Sequence, residues 1–139
     1  MLFDVFPYTQ FDPSIQIYTI PGKPVPLQRP RYSFARVYDS QKQEKNAGRV
    51  YLVNQHDDQP LLTGALRLDV EFYFETPKKT RSLNGKYHTA KPDTDNCVKY
   101  LCDIMQGIII NDDAIIAQIL ATKLYDTTPR TEFTLRKLL

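Results

Sequence analysis

An α+β domain is predicted by three features of this 139-residue chain. One segment alternates strictly as a strand does, one carries an apolar stripe at helical spacing, and no regular strand–helix–strand repeat links them. The strand is 66–74. Leu66, Leu68, Val70, Phe72 and Phe74 fall on one face, and Arg67, Asp69, Glu71 and Tyr73 on the other. The helix is 95–105, where Val98, Leu101, Cys102 and Met105 recur at i, i+3, i+4 and i+7. Gly107 follows it as a stop.

The remaining elements are fainter. Residues 1–14, with Pro7 and Pro13, are set apart as an extension, and 15–139 as the domain proper. Residues 15–20 alternate as a first strand. Pro21, Pro24, Pro26 and Pro30 then prevent regular structure until about Tyr32. A helix is expected from an N-cap at Asp39 or Ser40, burying Ala47, Val50, Tyr51 and Asn54, although Gly48 weakens it. A mobile loop is expected over 76–92. Residues 108–110 form a short apolar run into the Asn111-Asp112-Asp113 turn, and strands at 115–124 and 132–138 close the chain around Thr128-Pro129.

Hydrophobic residues make up 42% and charged residues 24%, which supplies both a core and an ordinary polar surface. No apolar run approaches the roughly 20 residues of a spanning helix, so no membrane role is expected. The first residues lack a signal-peptide pattern, and a cytoplasmic protein is the expectation. Cys97 and Cys102 fall on different faces of the second helix, which suits small apolar packing rather than a disulfide. His56 and His88 stand apart, so no zinc set is present. As a lone loop histidine, His88 is expected to meet solvent or phosphate rather than serve as a general base.

The net charge of +2 says little, but its placement says more. Lys78, Lys79, Arg81, Lys86 and Lys91 occupy an acid-free stretch directly before an acidic centre, and Lys23, Arg29, Arg31 and Arg36 form an earlier one. Such stretches suit a polyanion such as the DNA backbone, and they also occur as plain solvated loops. The acidic centre comprises Asp93, Asp95, Asp112 and Asp113. In an extended stretch Asp93 and Asp95 point the same way, and such a carboxylate pair repels unless a cation intervenes. Magnesium accepts oxygen donors of this kind and keeps sites open for phosphate. Asp95, Lys99 and Asp103 follow one another at i, i+4 on a face separate from the apolar one. Plainer readings stand beside these: a helix N-cap for Asp93 or Asp95, a turn at Asp112-Asp113, and a surface ion-pair ladder on the helix. A calcium EF-hand is excluded, because Val98 and Ile104 occupy the positions that need Gly and Glu.

The run Lys91-Pro92-Asp93-Thr94-Asp95-Asn96-Cys97-Val98-Lys99, with Asp103, Gly107 and Asn111-Asp112-Asp113-Ala114, resembles the signature of RusA-family crossover-junction endodeoxyribonucleases. Residues 22–31 and Pro129-Arg130-Thr131-Glu132 resemble phage and prophage members, and the likeness spans about 15–137. The resemblance implies a homodimer of small mixed domains, each with two main helices on a mixed sheet, and two active sites on one basic face. It implies Mg2+-dependent resolution of four-way (Holliday) junctions by paired nicks, with Mn2+ as an admissible substitute and no small-molecule cofactor. Asp93, Asp95 and Asp113 match the family's essential acids, with Asp112 in support and Lys99 assisting catalysis or binding phosphate. Arg29, Arg31, Lys78, Lys79, Arg81, Lys86, Lys91 and Lys99 are then the expected DNA contacts. Cys97 stands where the family often has Leu, and Ile115 where it often has a polar residue. The second departure leaves open a broader nuclease cutting flaps or forks. A non-catalytic junction-binding protein is the alternative from another class.

Overall fold

The computed structural model describes residues 15–29, 31–33 and 36–139, so the 1–14 extension lies outside the described residues. In chain order come β1 (Tyr18–Pro21), β2 (Arg31–Ser33), β3 (Arg36–Tyr38), α1 (Lys42–His56), β4 (Leu66–Glu75) and a 3-10 turn at Arg81–Leu83. Then follow α2 (Thr94–Met105), a second 3-10 turn at Asp113–Ile115, β5 (Ile116–Asp126) and β6 (Arg130–Lys137). The architecture is α+β, with both helices packed on a mixed four-stranded sheet of order β1-β6-β4-β5.

β4 is central because both of its neighbours need it. It runs antiparallel to β6 and parallel to β5. A parallel neighbour requires a crossover, and α2 supplies it between β4 and β5. The alternation seen in the sequence holds: Leu66, Leu68, Val70, Phe72 and Phe74 are all buried, together with Phe133 and Leu135 of β6. The opposite face is polar. There Arg67, though buried, reaches Asp69 through both Nε and Nη2, and Arg130 lies 3.9 Å over the Tyr73 ring.

α2 begins one residue earlier than expected, and its buried side is wider: Cys97, Tyr100, Leu101, Cys102, Ile104 and Met105. Both cysteines are free and buried, and burial pushes each thiol up to about 11. α1 departs further from expectation. It starts at Lys42, with Asp39 Oδ1 accepting from Gln41 N at 2.9 Å, and its buried side is Lys45, Gly48, Leu52 and His56. Ala47, Val50, Tyr51 and Asn54, the expected inner face, are exposed. Polar residues win because each has a partner inside: Lys45 has two carboxylates, and His56 Nδ1 meets the Tyr18 hydroxyl at 2.7 Å. Gly48 is the contact point of the helices, since a Cβ there would lie 3.1 Å from Ile104 Cδ1. Gly48→Val is therefore expected to force α1 off α2 at a cost of about 2 kcal/mol, measurable by urea unfolding, with an unchanged midpoint excluding that close contact.

Three smaller differences concern the edges. β1 lies at 18–21 rather than 15–20, and the proline-rich stretch ends in a short hairpin, β2–β3, that no periodicity announces. The 76–92 segment is fastened rather than loose. Gly85 and His88 donate main-chain bonds to Tyr125 and Lys123, and Tyr125 donates to Lys86. The last strands are longer than expected, at 116–126 and 130–137. Among the described residues, no helix is long and apolar enough to cross a membrane.

Candidate metal and DNA site

α2 organises the acidic residues. Asp93 occupies its N-cap position, in extended backbone after a cis Lys91–Pro92 peptide, yet its carboxylate caps nothing. It accepts from Lys91 Nζ at 2.7 Å instead, and Lys91 holds this exposed carboxyl below the usual range. Asp95, in the first turn, lies 3.7 Å from Lys99 Nζ. Lys91 also feels the charge of Asp95 at the helix start, without pairing with it. The capping reading thus fails for Asp93, and the ladder reading holds for Asp95 and Lys99.

The second pair sits across the lower end of α2. Asp112 caps the 3-10 turn at Asp113–Ile115, accepting from Ala114 N at 2.9 Å. Asp113 joins Lys99, Asp103, Lys45, Asp39 and Gln106 in the wall of a cleft of about 480 Å³. Partial burial raises the Asp113 carboxyl above its ordinary value, followed by its contact with Asp112 and repulsion from Asp103. Such crowding of carboxylates is what a hard divalent cation relieves. The donors suit Mg2+ in kind. Their grouping is looser: among the described residues no three His, Cys, Asp or Glu side chains meet closely enough to hold a metal ion.

Two lysines absent from the sequence reading shape the site. Lys45 is buried and spans Asp39 at 2.5 Å and Asp103 at 2.8 Å, tying α1 to the cleft wall on α2. Lys123 on β5 donates to the carbonyls of Ala90 and Pro92, each at 2.7 Å, and so fixes the chain that delivers Asp93. Their positions in the sequence carry no signal, because the Lys45–Asp103 pair and the Lys123 bonds to Ala90 and Pro92 join elements far apart in the chain. Among the expected DNA contacts, Arg29, Lys78, Lys79, Arg81, Lys86, Lys91 and Lys99 are exposed, and the side chain of Arg31 lies outside the described atoms. His88 is not at the surface. It stacks on Phe74 at 4.0 Å and tilts against Tyr125, and burial, followed by nearby Lys123, lowers its pKa. It packs as an aromatic rather than meeting phosphate.

The family model described as endodeoxyribonuclease RusA matches residues 21–136. The chain belongs to the RusA family. It is therefore an endodeoxyribonuclease, with DNA as its partner. One relative of this RusA-family chain is uncharacterized protein YqaN of Bacillus subtilis (strain 168), 31% identical over 134 residues, covering 86% of this chain and 94% of the relative.

Proposed function

We propose that this RusA-family enzyme is a Mg2+-dependent resolvase that cuts four-way DNA junctions by paired, symmetric nicks. The observation that carries the reading is the arrangement along α2. Asp93 and Asp95 at its start and Asp113 beside its lower end are surface carboxylates held by lysines or by one another, with Lys99 between them. Asp93, Asp95 and Asp113 would hold the ion, with Asp112 in support, only by drawing together around it, since among the described residues no three such side chains already meet. When bound, it supplies a Lewis acid and lowers the pKa of a coordinated water. The chain's own residues do the rest. Lys99 would neutralise charge on the phosphate, and the exposed Lys91 would contact the DNA backbone. A 5′-phosphate and a 3′-hydroxyl are the expected ends.

The family match supports DNA as substrate, and the exposed lysines of 78–91 support a grip on its backbone. A four-way junction is two-fold symmetric, so a homodimer supplies one site for each cut. The deciding experiment incubates the protein with four-way junction, fork, flap and linear duplex, each with Mg2+ or with EDTA. Symmetric, metal-dependent nicks confined to the junction are expected. Cleavage of forks and flaps at equal rates points to a branched-DNA nuclease, and tight junction binding without metal-dependent cutting points to a non-catalytic binder. A second expectation concerns affinity. Replacing Lys78 and Lys79 together by glutamine should reduce the slope of log affinity against log salt by up to about 2, roughly 0.9 per lost phosphate contact. An unchanged slope in a filter-binding titration removes these lysines from the interface.

A further inference from the structure

We infer that the β2–β3 ribbon stacks an unpaired nucleobase at the mouth of the acidic cleft, with Tyr32 as the stacking ring. The ribbon is a two-stranded sheet of its own, apart from the four-stranded one. Its described side chains, Tyr32, Ser33, Arg36, Val37 and Tyr38, are all exposed, and none of them belongs to the hydrophobic core. Tyr32 stands 79% exposed and Val37 61%. The two are directly opposed across the ribbon, so they share one face. Val37 also lines the cleft that holds Lys99, Asp103 and Asp113. The apolar face therefore begins at the cleft wall and runs outward to Tyr32.

The roots of the ribbon are fixed although its face is bare. Ahead of β2, Leu27 N donates to the Asn96 carbonyl near the start of α2 at 2.9 Å, and Gln28 N donates to Gln41 Oε1 at 2.7 Å. After β3, Asp39 accepts from Gln41 N at 2.9 Å and is tied to Asp103 through Lys45. A ring presented from an anchored hairpin loses little freedom on binding, and tyrosine has only two side-chain torsions to fix.

Chemistry selects the occupant. From Gly22 to Tyr38 the chain carries Lys23, Arg29, Arg31 and Arg36 and no acid, so this face attracts a polyanion, and for an endodeoxyribonuclease that polyanion is DNA. Phosphates alone need no aromatic ring. Inside a duplex both faces of every base are covered by its neighbours, and an outside ring has only edges to touch. A base beside a branch point has a bare face, on which a tyrosine ring stacks whatever the base. Stacking there seats the adjoining backbone in the cleft, beside Lys99 and Asp113. Tyr32 is then a specificity-determining residue that favours branched over linear DNA. The stacking rests on DNA as the partner; its use in selecting branched DNA rests on the function proposed above.

Fluorescence anisotropy with the full chain in EDTA tests the assignment. The probes are a fork with two unpaired thymidine arms and the same fork with abasic residues at the first unpaired positions, which removes the bases and keeps the phosphates. The wild type should bind the abasic fork at least about fivefold more weakly, the lower end of base–aromatic stacking. Tyr32→Ala should bind the intact fork weakly to the same degree and no longer distinguish the two forks. Tyr32→Phe should behave as the wild type, and thermal unfolding of both variants should be little changed, since the side chain is exposed. Three results overturn the proposal: a wild type that binds both forks equally; a Tyr32→Ala protein that discriminates between them as the wild type does; or a Tyr32→Leu protein that keeps the full discrimination, which assigns the contact to apolar area rather than to the ring. No cutting is read in EDTA, so each result leaves junction resolution to its own nicking assay.

Discussion

Asp113→Asn is expected to lower metal-dependent nicking at least about a thousandfold, the several kcal/mol that a correctly held Lewis acid contributes. The metal-free protein should be no less stable. Asp113 is a carboxyl whose folded-state pKa is raised, first by burial and then by Asp112. Such a group favours the fold below the ordinary carboxylate range and opposes it as pH rises through the folded value. At neutral pH the wild type therefore carries a small penalty that asparagine removes. The group is exposed enough that screening holds the gain to no more than ~0.5 kcal/mol. Thermal unfolding separates the two effects. Without metal, the variant should melt at or slightly above the wild type at pH 7, and the difference should vanish near pH 3. In millimolar Mn2+ or Mg2+ the wild type should gain stability and the variant less. Asp93→Asn should lose nicking to a similar degree. A variant at Asp113 that nicks at the wild-type rate would falsify its place in the site.

What the sequence revealed follows physical range. Strand β4 was legible because alternation is set by the pleat, and one apolar face against one polar face leaves a plain record in residues 66–74. α2 was legible for the same reason at helical spacing. α1 misled because its inner face is held by partnered polar groups. Lys45, Gln41 and His56 are buried by virtue of Asp39, Asp103, the Pro26 carbonyl and Tyr18, none of which is a helical neighbour. Hydrophobic counting then selects Val50 and Tyr51, which stand 58% and 42% exposed. Within the site, Asp95 and Lys99 are readable because i, i+4 spacing is local. That Asp113 shares a cleft with Lys99 and Asp103 depends on the crossover from α2 into β5, which spacing alone does not dictate. His88 misled in the opposite sense, since stacking between Phe74 and Tyr125 hides a residue that composition assigns to the surface.

The second large effect is expected at Lys45, the residue that local reasoning had no means to find. Its ammonium is buried, which works against its charge, but Asp103 and Asp39 outweigh that burial and raise its pKa. Lys45→Met keeps the packing volume of the stem and removes the cation, leaving two carboxylates without their partner. A fully buried pair broken in this way costs about 3–5 kcal/mol. Here Asp39 and Asp103 remain 42% and 38% exposed, so water takes up part of the loss, and ~1–2 kcal/mol is expected. Nicking should fall by about tenfold as Asp103 is no longer drawn towards α1 and the wall beside Lys99 loosens. Lys45→Arg should restore part of both. The pH dependence identifies the cause. A lysine with a raised folded pKa contributes fully below its ordinary value, so its side of the pair is constant across the neutral range. Asp39, whose carboxyl Lys45 holds low, contributes above the ordinary carboxylate range and loses that contribution as pH falls through its lowered folded value. The stability gap between wild type and Lys45→Met should therefore be flat from about pH 6 to 9 and narrow below about pH 4. A gap that persists unchanged into acid would assign the loss to packing of the lysine stem and remove the Asp39–Lys45–Asp103 bridge as the tie between α1 and the acidic cleft.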